Sequence, residues 1–209
     1  VAVAAEIASA LDAPLDIVLV RKVGAPMHPE LALGAVVDGR EPIITRNPLI
    51  VESTATTEQE FTELCQEALA EIERRRQRYL GNRHALDVSG RVVIIVDDGI
   101  ATGATVRAAL QATRLRRPSK LVLAVPIAPA EAVASLRNEA DEIVCLGDIG
   151  PFGAIGYHYD DFRQLADDDV VSIIDRFRPA QHEDRVGVGA DDVRRIVGDV
   201  DDTKVSEIL

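Results

Sequence analysis

The chain has 209 residues, 47% of them apolar but only 3% aromatic, so its core must be built from Val, Ile, Leu and Ala. That mix suits an α/β sheet covered by Ala-rich helices. A net charge of −12 disfavours a generic nucleic-acid or anionic-membrane partner, both of which call for basic patches.

Elements alternate in type along the chain. Val1 to Leu11 is Ala-rich and helical, with Val3, Ile7 and Leu11 on one face. Asp12-Ala13-Pro14 ends it, and Leu15 to Val20 reads as a buried strand. A loop bearing Gly24, Pro26 and Pro29 leads to a strand over Leu31 to Val37. Asp38-Gly39 then turns the chain back toward Ile43-Ile44. Thr57-Glu58-Gln59-Glu60 is a capping box that opens the longest helix, with Phe61, Leu64, Ala68 and Ile72 on one face and a stop at Gly81-Asn82. Val92 to Val96 is a strand buried on both faces, followed by a helix that Pro118 closes. Leu121 to Val125 is a strand, Ala130 to Asn138 a helix, and Ile143 to Leu146 the last strand. Asp168 or Asp169 caps a final amphipathic helix carrying Val170, Val171, Ile173, Ile174 and Phe177. Residues 179–209 are acidic and weakly patterned, and read as a tail or a linker, with a short helix near Asp192–Val197.

The most informative run is Val92-Val93-Ile94-Ile95-Val96-Asp97-Asp98-Gly99-Ile100-Ala101-Thr102-Gly103-Ala104-Thr105. A strand that ends in two acids and turns through small, hydroxylated residues into a helix offers two kinds of contact. Free backbone N–H groups at the helix start suit a phosphate, and the carboxylates suit sugar hydroxyls. The ligand implied is a phosphorylated sugar.

The stretch Val93 to Thr105 resembles the signature of type I phosphoribosyltransferases, with Gly99 standing where that family usually has an apolar or small branched residue. The resemblance implies a Rossmann-like parallel sheet flanked by helices over residues 1–178, and an enzyme of the pentosyl glycosyltransferase class. Such an enzyme binds 5-phosphoribosyl-1-diphosphate and transfers phosphoribosyl to a nitrogen acceptor, releasing pyrophosphate. By the same resemblance Asp97 and Asp98 hold the ribose hydroxyls, while Ala101, Thr102, Gly103, Ala104 and Thr105 cradle the 5′-phosphate. Arg21 and Lys22, at the end of an expected strand, resemble the residues that meet the diphosphate in orotate and adenine phosphoribosyltransferases, where cations stabilise the departing pyrophosphate. Mg²⁺ is implied as cofactor, held mainly through substrate oxygens. Loop Gly24–Pro29, Glu30–Ala35, Asp141–Leu146 and Pro151–Phe162 extend the likeness to a bacterial group of predicted phosphoribosyltransferases of unassigned substrate. The pattern of 6-oxopurine enzymes is missing, which speaks against purine salvage. The alternative function is a non-catalytic sensor of phosphoribosyl diphosphate or of a nucleotide, since some relatives are regulators. A homodimer and a further domain after residue 179 stay open.

An opening helix followed by a buried strand reads as the second half of a βαβ unit. A strand is therefore expected upstream of Val1, beside a gap next to Asp16–Val20, and the family resemblance implies that a loop gripping pyrophosphate goes with it.

Remaining candidates are weaker. Phe152, Tyr157, His158 and Tyr159 either stack on a planar acceptor or form a small satellite core. Arg74, Arg75, Arg76 and Arg78 read as a solvated helix end complementing its dipole, with a diphosphate or RNA contact as the sharper alternative. The four histidines share no metal-ligand spacing, and of them only His28 falls in a candidate site loop. The two cysteines, Cys65 and Cys145, lack metal spacing and read as buried thiols of a reducing compartment. No apolar run approaches the ~18 residues of a membrane span and no basic leader opens the chain, so the cytoplasm is the expected location.

Overall fold

Five consecutive β-branched residues form β4 (Val92–Val96), which pairs in parallel with β5 (Lys120–Ile127), and β5 in turn with β6 (Glu142–Gly147). The structure, a computed structural model, describes residues 1–39, 42–81, 85–150 and 154–177. The parallel sheet is covered on both sides. On one face Val93 and Ile95 meet Ile100, Val106, Leu110 and Leu136, which come from the turn after β4, from α4 (Ala104–Leu115) and from α5 (Ala130–Leu136). On the other face Val92, Ile94 and Val96 pack with Val3, Ile7 and Leu11 at α1 (Ala2–Ala10). Leu110, Leu121 and Leu123 are fully buried. Truncating one of them to Ala costs ~2–5 kcal/mol, a large share of a domain's stability.

A second, antiparallel sheet has the order β1 (Val20–Ala25), β2 (His28–Val37), β3 (Ile43–Arg46). The β2–β3 hairpin appears where Asp38-Gly39 predicts it. The expected strand Leu15–Val20 does not. The ladder begins only at Val20, opposite Val37, and continues through Arg21 and Lys22 to Ala25. Residues 15–18 are nevertheless sandwiched by side-chain burial. Ile17 and Leu19 face α3 (Glu58–Leu80), and Val18 and Val20 face Ala108 and Ala112 of α4. Apolar patterning reports which faces are covered, not which edge is paired, so the displaced strand follows from reading burial as pairing. Among the described residues no strand pairs with β4 on the side away from β5, and residues 15–18 join no ladder.

The α3 helix starts as its capping box dictates. Thr57 Oγ accepts from the Glu60 N–H at 3.2 Å, and Glu60 Oε2 accepts from the Thr57 N–H at 2.8 Å. Its Phe61, Cys65, Ala68 and Ile72 bury against Val23, Ala25, Leu33 and Val36. Helix α2 (Pro48–Ser53) escapes the sequence reading although Asn47-Pro48 signals it: Asn47 Oδ1 accepts from the Ile50 N–H, and Pro48 occupies the first helical position. Helix α6 (Asp167–Arg176) seats Val170 and Ile174 on Leu80. Its cap is Ala166, not Asp168 or Asp169; Asp169 instead accepts from the Ala166 N–H at 3.1 Å. Among the described residues no helix is long and apolar enough to cross a membrane. The expected boundary at 179, the acidic tail and its short helix lie outside the described residues.

Candidate active site at the end of β4

The backbone after β4 is pinned at closely spaced points. The Asp97 N–H donates to the Ala124 carbonyl at 3.3 Å, extending the β4–β5 ladder by one residue. The Asp98 N–H donates to Asp97 Oδ1 at 3.0 Å. The Ile100 N–H donates to the Ile127 carbonyl at 3.1 Å, and Ile100 is 1% exposed. Gly103, with φ +76°, then makes a left-handed turn that starts α4. A residue with a β-carbon is strained in that region, so the sequence supplies Gly. No side chain caps α4, which leaves its first-turn N–H groups for an anion. Ala101, Thr102 and Thr105 are exposed around this start, with Gly103 buried and Ala104 between.

The two acids differ in environment. Asp98 is exposed, whereas Asp97 is partly buried. Burial, and next the negative charge of Asp98, raise the Asp97 pKa to about 6, against the opposing pull of the Asp98 N–H.

A third element closes on the same turn. Tyr159, beyond a single 3₁₀ turn (Ile155–His158), donates its hydroxyl to the Asp98 carbonyl, and its ring packs on Phe162 at 4.9 Å. Burial and then the charges of Asp98 and Asp97 push the phenol pKa up, so it stays a neutral donor. Tyr157 is 88% exposed and His158 is exposed, so neither joins this contact. Phe152 lies outside the described residues.

The strand register separates Arg21 from Lys22. Arg21 shares the parity of Leu19, Val23 and Ala25, the α3 face, and lies 3.7 Å from Glu71 of α3. Lys22 shares the parity of Val18 and Val20, the face that packs on α4, and pairs with Ala35 of the same cluster. Of the two cations, Lys22 is therefore on the face that packs against α4. Arg74 and Arg75 bind Glu71 at 2.8 and 2.9 Å, Arg76 lies 3.5 Å from Asp38, and Arg78 2.9 Å from Asp167, in keeping with a paired, solvated helix end. His28 is exposed in the β1–β2 hairpin. Beside the turn an open cavity of about 330 Å³ is lined by Ala101, Thr102, Pro129, Glu131, Ala132 and Ser135, and so touches only two of the expected phosphate residues. Among the described residues no three His, Cys, Asp or Glu side chains gather as a metal site.

The chain is similar to known proteins. Residues 1–161 match the phosphoribosyl transferase domain family. Two curated proteins of Mycobacterium tuberculosis, strains CDC 1551 and H37Rv, each named "Putative phosphoribosyl transferase", are 42% identical over 192 residues. Those matches take in 92% of this chain and 42% of the relatives, so the chain spans about two-fifths of their length. The crystal structure of TT1426 from Thermus thermophilus is similar at 38% identity with a TM-score of 0.71, covering 84% of this chain and 82% of that one. The chain belongs to the phosphoribosyl transferase family.

Proposed function

We propose that the chain binds 5-phosphoribosyl-1-diphosphate and transfers its phosphoribosyl group to a nitrogen acceptor with release of pyrophosphate. The observation that carries this reading is the juxtaposition of Asp97 and Asp98 with the uncapped, left-handed start of α4 at Gly103. Ionised carboxylates accept hydrogen bonds from two neighbouring ribose hydroxyls. The first-turn N–H groups of α4, with the hydroxyls of Thr102 and Thr105, receive the 5′-phosphate. Anchored at both places, the sugar presents C1 in a fixed direction. Displacement there needs positioning and charge stabilisation, with no covalent intermediate. Lys22, and less directly Arg21, supply positive charge toward the pyrophosphate. Mg²⁺ would be held mainly through oxygens of the substrate diphosphate and ribose, the hard ligands this cation prefers. When bound it neutralises the diphosphate charge.

The test is pyrophosphate release from phosphoribosyl diphosphate and Mg²⁺ across a panel of nucleobases and other nitrogen acceptors. Release dependent on one acceptor, and lost in Asp97→Asn/Asp98→Asn, is expected. Tight binding without release under any acceptor would contradict transfer and leave a sensor.

A further inference from the structure

Gly99 and Asp98 are held from outside the parallel sheet by one short segment, residues 154–162. A β-carbon on Gly99 would lie 2.6 Å from Ile155 Cγ2 and 3.0 Å from Ile155 Cγ1, so the isoleucine occupies the space that any other residue would fill. One turn later the Tyr159 hydroxyl donates to the Asp98 carbonyl. The segment is itself braced, because Phe162 packs on Tyr159 at 4.9 Å and its Cδ1 would stand 3.1 Å from a β-carbon on Gly156.

The consequence follows from the pinning of the turn. The inner side of residues 97–100 is fixed to β5 and its continuation through the Asp97 and Ile100 N–H groups. Between them the Asp98–Gly99 peptide has a glycine on its carboxyl side, the residue with the widest choice of backbone angles. Rotation of that peptide would swing the Asp98 carboxylate relative to Asp97. The Tyr159 hydroxyl holds the carbonyl of that same peptide.

We infer that Tyr159 is a positioning residue: by holding the Asp98 carbonyl it fixes the direction in which Asp97 and Asp98 present their carboxylates to the sugar. The glycine that makes room for Ile155 and the tyrosine that restrains the freed peptide are two halves of one arrangement. The role of the acids as sugar ligands rests on the function proposed above; the restraint of the peptide does not.

The test uses Tyr159→Phe in the full chain, which keeps the ring against Phe162 and removes only the hydroxyl. Amide hydrogen exchange of the ligand-free protein is compared with calorimetric binding of ribose 5-phosphate and of pyrophosphate. The expected result is exchange of the Ile100 amide about tenfold faster with β5 amides unchanged, and ribose 5-phosphate bound about tenfold more weakly with pyrophosphate within about twofold. A general loss of structure would weaken both ligands and speed exchange throughout, so it does not mimic this split. Unchanged exchange at Ile100, or faster exchange with unaltered ribose 5-phosphate affinity, overturns the inference. Should the wild-type chain bind no ribose 5-phosphate, the proposed function fails by itself, and the exchange measurement still decides whether Tyr159 restrains the turn.

Discussion

Gly99 and Ile155 approach so closely that the glycine is required by the isoleucine, with 2.6 Å separating Ile155 Cγ2 from where a β-carbon would stand. The family signature usually carries an apolar or small branched residue at this place, so a structural reason now stands behind the departure. Restoring a branched residue with Gly99→Val is expected to destabilise the chain by ~1–3 kcal/mol through overpacking. Gly99→Val/Ile155→Ala should recover most of that loss, because the collision is with side-chain atoms. Thermal unfolding of the three proteins measures the effect; additive losses in the double variant would contradict it.

Asp97 gives a pH dependence with a definite sign. Its pKa is raised from 3.8 to about 6, so between those pH values the native state holds a proton that the unfolded chain has released. Stability therefore falls as pH rises from about 4 to about 6 and levels off above. Asp97→Asn removes this penalty and should stabilise the protein at pH 8 by ~1 kcal/mol, a figure reduced for solvent screening at a partly exposed group. The same variant should bind ribose 5-phosphate at least tenfold more weakly. Denaturant unfolding at pH 4.5 and pH 8 beside calorimetry checks both; a variant less stable than wild type at pH 8 would overturn the assignment.

Gly103 holds φ +76° at the start of α4, and a β-carbon there would sit 3.3 Å from Leu136 Cδ1. Gly103→Ala is expected to cost ~1 kcal/mol or more, from left-handed strain plus crowding. Because it distorts the turn proposed to hold the 5′-phosphate, inorganic phosphate affinity should fall with it. A Thr57→Ala variant, which weakens the distant α3 cap, should melt earlier yet keep its phosphate affinity. Equal phosphate affinity in Gly103→Ala would exclude this turn as the phosphate site.

Arg21 and Lys22 should separate functionally because the strand sends them to opposite faces. Lys22→Ala is expected to weaken pyrophosphate binding ~5- to 10-fold, and Arg21→Ala, which removes an exposed partner of Glu71, by no more than about twofold. A reversed order would show that the α3 face, not the α4 face, meets the pyrophosphate.

Much of this molecule is legible in its sequence where local chemistry decides. The Thr57–Glu60 box, the Asp38-Gly39 hairpin and the β4 run with its acids and Gly103 each carry their own geometry, and each folds as read. The displaced first strand is illegible for a physical reason. Leu15–Leu19 is apolar because it is covered on two faces, whereas Arg21-Lys22-Val23-Gly24 pairs with β2 despite its polar residues, because pairing is a backbone property. The hold of Tyr159 on Asp98 spans 61 positions and follows from tertiary packing, so no local pattern announces it. Its only trace in the sequence is the unusual glycine at 99.

The central claim is that the end of β4 and the start of α4 hold a ribose 5-phosphate group. Calorimetric titration of phosphoribosyl diphosphate, with Mg²⁺ present, into the wild-type chain and into Asp97→Asn/Asp98→Asn tests it most directly. Saturable binding to the wild type and at least a tenfold loss in the double variant, with the fold intact by circular dichroism, is the predicted result. Equal affinity for both proteins would contradict it.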